Sequence, residues 1–120
     1  MNKRNYISLA NKAANIQINE LKKVKKIFNS SFIEAVDHIL NCKGKVIFAG
    51  IGKSGLIARK ISATFSSVGI PSFFCDPAQA LHGDMGQIEK KDILIIFSYS
   101  GNTSELTNML KYANRYRIKI

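Results

Sequence analysis

Residues 93–105 read Ile93-Leu94-Ile95-Ile96-Phe97-Ser98-Tyr99-Ser100-Gly101-Asn102-Thr103-Ser104-Glu105, and this stretch decides the fold. An apolar run without polar alternation predicts a strand buried on both faces. Leu106, Met109, Leu110 and Ala113 then follow at helical spacing, so a hydroxyl-rich turn joins a buried strand to a helix. The hydroxyls of Ser98, Ser100, Thr103 and Ser104, a permissive glycine and the free N–H groups of a helix start are expected to converge on one small volume. That setting suits a phosphate. The N–H groups and the positive end of the helix dipole attract the anion, and the hydroxyls donate to its oxygens. Glu105 falls in the first turn, where a carboxylate is also favoured.

Upstream, the same rhythm occurs twice more. Val46-Ile47-Phe48-Ala49 leads into Gly50-Ile51-Gly52-Lys53-Ser54-Gly55, followed by a helical pattern through Ile57, Ile61, Phe65 and Val68 that Gly69 and Pro71 stop. Ser72-Phe73-Phe74-Cys75 reads as a second strand ended by Asp76-Pro77, and residues 78–88 as a loop with room for a short helix. Ile118-Lys119-Ile120 reads as a fourth strand, cut off. Continuous apolar strands separated by amphipathic helices predict a parallel sheet covered on both faces. Right-handed crossovers then bring Gly50–Gly55, Asp76–Gly86 and Ser98–Glu105 to one edge, around one cleft.

The segment ahead of this pattern is helical and basic. Ile7, Ala10, Ala14, Leu21, Val24 and Phe28 recur at alternating steps of three and four, broken at Gln17, with no glycine or proline between Ile7 and Phe28. The amphipathic helix so predicted has more apolar stripe than a small domain easily covers. It packs either on a neighbouring subunit or on its own domain. Ser31 with Glu34 has the spacing of a capping box, opening a short helix with Phe32, Val36, Ile39 and Leu40 inward and His38 beside that face. Asn41 to Gly44 ends it.

A length of 120 residues bounds the chain to one domain or part of one, and 46% apolar residues supply a core. No apolar run approaches the ~20 residues of a membrane span, and the amino end makes a poor signal peptide. Cys42 and Cys75 lack metal-ligand spacing and read as free thiols of a cytoplasmic protein. The net charge of +10 raises a nucleic-acid reading. The aromatics, however, sit inside apolar strands, and Lys22, Lys23, Lys25 and Lys26 fit a solvated helix face. A positive field that draws in sugar phosphates uses the same charge.

Gly50 to Gly55 fits G-x-G-x-x-G, and Asp76 follows at about the 20-residue spacing of a ribose-binding acid. A dinucleotide site is therefore one reading; a close strand–turn–helix connection is the plainer one. A nucleotide-triphosphate P-loop is excluded, because Ile47 stands where its first glycine would be.

Taken in order, Gly50–Gly55, Pro71-Ser72-Phe73-Phe74, Ala80-Leu81-His82-Gly83-Asp84-Met85-Gly86 and Ser98–Glu105 resemble the SIS (sugar isomerase) domain. Within it they are most similar to the D-arabinose 5-phosphate isomerase family, which interconverts ribulose 5-phosphate and arabinose 5-phosphate for 3-deoxy-D-manno-octulosonate and so lipopolysaccharide biosynthesis. The resemblance implies an α/β fold: a three-layer αβα sandwich with a parallel sheet of flavodoxin/Rossmann-like type, incomplete at the C-terminus. It divides the chain into N-terminal helices over 1–44 and the N-terminal part of a SIS domain over 45–120.

The resemblance also implies that Lys53 and Glu105 are catalytic and that His82 contacts the sugar, with Ser54, Ser98, Ser100, Thr103 and Ser104 as phosphate or hydroxyl ligands. Aldose–ketose isomerisation moves a proton between adjacent carbons through an enediol. A carboxylate such as Glu105 suits the base and a cation such as Lys53 the developing oxyanion. His82 either shuttles a proton between oxygens or orients the sugar hydroxyls. Plainer readings are a solvated Lys53, a dipole-favoured Glu105 and a packing His82. Relatives of that family continue through the rest of the sheet, with a further catalytic glutamate and histidine, and usually into paired CBS domains. Some carry a zinc-linked histidine where this chain has Asp76; Asp76 with His82 is a weaker metal case, and no metal or other cofactor is expected. The expected partners are a pentose 5-phosphate and further copies of the chain, with no nucleic acid and no membrane. A phosphosugar-sensing domain without turnover and a dinucleotide-binding fragment are the alternatives.

Overall fold

The computed structural model describes residues 3–120 and divides into two compact units, Met1–Asp37 and His38–Ile120. The first unit contains helix α1, Lys3–Val24, and a turn of 3-10 helix, Lys25–Ile27. The regular helix thus starts earlier than Ile7 and stops short of Phe28, whose ring instead meets Phe32 at 4.9 Å between centroids. Helix α2 spans Ser30–Leu40. Its cap is not the Ser31–Glu34 box. Asn29 Oδ1 accepts the backbone N–H groups of Ser31 (3.0 Å) and Phe32 (3.3 Å), because an asparagine one residue before the helix reaches the same orphan donors. The expected inner face of α2 is also narrower: Phe32 and Leu40 are exposed, and Ile39 packs inward.

In the second unit, β1 (Val46–Gly50), β2 (Ser72–Cys75) and β3 (Ile93–Phe97) form a parallel sheet in the order β2-β1-β3. Val46 stands opposite both Ser72 and Ile93, so the three strands start level and end on one edge. Lys119 adds a parallel bridge to Ile93, and its carbonyl accepts the Leu94 N–H at 2.9 Å, which is the start of the expected fourth strand. Every residue of β1 is buried, as the absence of polar alternation requires.

Alternate strand residues serve two cores. Val46 and Phe48 pack with Ala58, Ile61 and Phe65 of α3 (Lys53–Ser67) on one face. Ile47, Ala49 and Leu94 pack with Met109 and Ala113 of α5 (Ser104–Arg115) and Ala80 of α4 (Pro77–Ala80) on the other. The layers are helix, sheet, helix.

The stripe of α3 differs in part from expectation. Ile57 and Val68 are exposed, the expected Ile61 and Phe65 pack against the core, and Gly55, Ala58 and Ser62 are the fully buried positions, Gly55 where the helix start presses on Gly50. A Cβ on Gly55 would stand 2.5 Å from the Gly50 carbonyl oxygen. The same helix ends as Gly69 and Pro71 predict: Gly69 (φ 86°) donates to Ser66 O and Ile70 to Phe65 O, the paired bonds of a Schellman motif.

At the opposite edge of the sheet from the turns, Asp92 is buried (1% exposed) and accepts the N–H groups of Lys45 (2.7 Å) and Glu89 (2.8 Å). Lys45 Nζ lies 3.2 Å from its carboxylate. Burial pushes the Asp92 pKa up, but the two N–H donors and the Lys45 ammonium outweigh it and hold the group below the ordinary aspartate value.

Candidate functional site

The turns after β1 and β3 meet around a cavity of about 210 Å³ lined by Ile51, Ser54, Phe97, Ser98, Tyr99, Ser100, Thr103 and Leu106. Each turn has a local reason. After β1 the chain must reverse into α3 without a Cβ at either close-contact position. Gly50 and Gly55 provide this, and Gly52 adopts φ 60°, ψ −130° as the residue before the helix. The glycine pattern is thus accounted for by a close strand–helix connection. Asp76, the acid that a dinucleotide reading needs, caps α4 instead: its Oδ1 accepts the Ala78 N–H at 2.9 Å.

After β3 the turn braces itself. Ser98 Oγ accepts the Gly101 N–H at 2.8 Å and Ser100 Oγ the Asn102 N–H at 3.4 Å, with Gly101 at φ 69°. Thr103 precedes α5 in extended conformation, but its side chain does not cap the helix. Thr103 Oγ1 is buried and has no hydrogen-bond partner among the described residues. Leaving such a hydroxyl unpaired costs about 1–3 kcal/mol, and it belongs to a residue that lines the cavity.

Two helix starts contribute charge. Helix α3 opens on Lys53 with no acid in its first turn, so a cation sits at the positive end of the dipole, an arrangement that an anion relieves. In α5 the first turn holds Glu105. Its own backbone N–H and the Ser104 hydroxyl (2.9 Å) hold the carboxyl below the ordinary glutamate value.

Of the residues singled out in the sequence, Ser54, Ser98, Ser100 and Thr103 line this cavity. Ser104 is turned to Glu105, and neither is among the lining residues. Lys53 is exposed beside Ser54, and His82 is exposed in the turn after α4; both lie outside the lining. Two of the three expected loops line this cavity; residues 77–87, which contain α4 and a turn of 3-10 helix (Asp84–Gln87), are not among its lining. What the sequence reading missed is the apolar part of the wall, Ile51, Phe97 and Leu106, together with Tyr99. Their signal is position alone: a strand's last residue, the next turn and the first turn of the following helix.

Among the described residues no group of three or more His, Cys, Asp or Glu side chains is gathered to hold a metal ion, and no helix is long and apolar enough to cross a membrane. Cys75 is buried at the end of β2, where burial and the nearby Asp84 and Asp76 push its thiol pKa up to about 11.

The chain is a parallel αβα sandwich, an architecture whose ligand sites lie at the carboxyl ends of the strands, the edge where this hydroxyl-lined cavity opens. The chain is a member of the SIS domain family, which matches residues 39–120. It is 42% identical over its whole length to an uncharacterised protein of Rickettsia prowazekii, spanning 38% of that protein. It is 46% identical over 91 residues, 76% of this chain and 28% of the relative, to "Arabinose 5-phosphate isomerase GutQ" of Escherichia coli K12. A Haemophilus influenzae protein named "Probable arabinose 5-phosphate isomerase" is 38% identical over 97% of this chain and 34% of its own length. Among solved structures, a protein of Escherichia coli CFT073 in complex with arabinose 5-phosphate superposes with a TM-score of 0.82 at 40% identity, over 98% of this chain and 63% of that one. A Listeria monocytogenes protein assigned as a sugar-phosphate isomerase gives a TM-score of 0.91 at 29% identity, over 98% and 62%. The chain thus spans roughly a third of the length of these curated relatives.

Proposed function

We infer that the cavity between the β1 and β3 turns takes the phosphate of a pentose 5-phosphate, and that the domain serves the interconversion of D-ribulose 5-phosphate and D-arabinose 5-phosphate. The observation that carries this reading is the grouping of Ser54, Ser98, Ser100 and Thr103 around one cavity, with the Thr103 hydroxyl buried just behind its wall and without a partner among the described residues. A phosphate oxygen gives that hydroxyl an acceptor, and the starts of α3 and α5 give the anion a positive field. The relatives named as arabinose 5-phosphate isomerases and the solved complex with that sugar phosphate supply the sugar.

In the isomerase reading, Glu105 takes the proton from C2 of the aldose and returns it to C1. Lys53 faces the oxyanion of the enediolate, and His82 serves the sugar oxygens. A glutamate is ionised at neutral pH, the form a base requires, and the donors that lower the Glu105 pKa weaken it as a base until substrate displaces them. One observation favours a second reading, a phosphosugar-binding domain without turnover: Lys53, His82 and Glu105 all stand outside the cavity lining. A coupled assay for arabinose 5-phosphate formation, run on the wild type and Glu105→Gln, separates the two. The isomerase reading expects turnover in the wild type and a loss of about 10²–10⁴-fold in the variant. Binding without turnover in the wild type leaves only the second. Self-association through the exposed apolar side chains of α1 is part of the same proposal.

A further inference from the structure

Tyr99 is the most exposed large hydrophobic side chain of the described residues (104%), although it belongs to the turn that lines the cavity. The bonds that brace the turn run from Ser98 to Gly101 and from Ser100 to Asn102, the two neighbours of Tyr99 folding back while its ring is left outside. Among the described residues that ring has no hydrogen bond or ring contact. A bare aromatic face at a cavity mouth gains nothing from water.

The size of the cavity says what would meet it. The cavity, about 210 Å³, has room for a phosphoryl group and carbons attached to it, and Tyr99 lines it together with Ser98 and Ser100. With the phosphoryl group among those hydroxyls, the carbons of a five-carbon sugar phosphate run along the part of the wall to which Tyr99 belongs. Resting on the phosphate reading above, we propose that Tyr99 is a substrate-contacting residue that sets specificity for a sugar phosphate over phosphate alone. Its ring lies against the C–H face of the sugar carbons and holds them along the cavity wall. The phosphate contacts belong to the hydroxyls and helix starts and do not need the ring.

The test is an NMR titration of the full ¹⁵N-labelled chain as wild type, Tyr99→Phe and Tyr99→Ala, with arabinose 5-phosphate and, separately, with inorganic phosphate. Tyr99→Ala is expected to weaken the sugar phosphate about three- to tenfold, the worth of one aromatic contact, and to leave inorganic phosphate unchanged. Tyr99→Phe, which keeps the ring, is expected to match the wild type for both. Wild-type affinity for the sugar phosphate in Tyr99→Ala overturns the proposal. So does an equal loss for both ligands, or a loss in Tyr99→Phe as large as in Tyr99→Ala. A wild type that binds neither ligand fails the phosphate reading itself, and this proposal with it.

Discussion

A buried hydroxyl without a partner ties stability to function in opposite directions at Thr103. Replacing it by valine removes an unpaired polar atom and keeps the shape, so Thr103→Val is expected to melt at or slightly above the wild-type temperature. If the hydroxyl donates to a phosphate, the same variant loses about 1.5–3 kcal/mol of affinity for arabinose 5-phosphate, at least tenfold. Thermal unfolding and a ligand titration on one preparation read both. A drop in melting temperature with unchanged affinity would assign Thr103 to the fold alone. At this scale the sequence was partly legible. The hydroxyls at 54, 98, 100 and 103 could be placed near one another because each sits at a strand end or helix start, where topology fixes position. The orientation of Ser104 toward Glu105 could not, since neighbouring hydroxyl and carboxylate groups choose among local partners that only the folded backbone presents.

The elements themselves were read from period and punctuation. Unbroken apolar runs gave β1 and β3 within a residue, and Gly69 gave the end of α3, because burial on both faces and a left-handed cap each demand particular residue types. The stripe of α3 was read correctly at Ile61 and Phe65 and wrongly at Ile57 and Val68; at Gly55 helix and strand nearly touch, so a residue without a side chain takes the core side and Ile57 is left outside. The cap of α2 was misassigned because Asn29 and Ser31 are both good N-cap residues, and only backbone geometry chooses.

The other end of the sheet is held by Asp92, whose carboxylate joins the residues before β1 to those before β3. Asp92→Asn is expected to cost about 2 kcal/mol, since it removes the charge from bonds to two backbone donors and Lys45. A carboxyl held below its ordinary value adds stability above the unfolded-state pKa of 3.8 and loses it as the pH falls through the lower folded value. Denaturant unfolding followed from pH 6 down to about pH 2 should therefore show a decline in the wild type that Asp92→Asn flattens. Parallel curves for the two proteins would contradict this role.

Across the whole molecule the two units differ in how they use apolar side chains. In His38–Ile120 they fill two cores. In Met1–Asp37 the large ones are exposed, Ile7 at 68% and Leu21 at 70% among them. Exposed apolar side chains in this number are what an interface between copies of the chain would cover. Sedimentation is expected to find the wild type as a dimer or larger, and Ile7→Asp with Leu21→Asp as a smaller species with unchanged helix content. A monomeric wild type would contradict self-association. The excess stripe was legible in the sequence, because a period of three and four persists over more turns than one small domain can cover.

Where an anion binds is the central question, and a crystal soaked with arabinose 5-phosphate tests it most directly. The predicted result is a phosphoryl group between the β1 and β3 turns, with one oxygen accepting from Thr103 Oγ1 and others reached by Ser54, Ser98 or Ser100. A phosphate held elsewhere on the chain, or a cavity that keeps only water at saturating ligand, would contradict it.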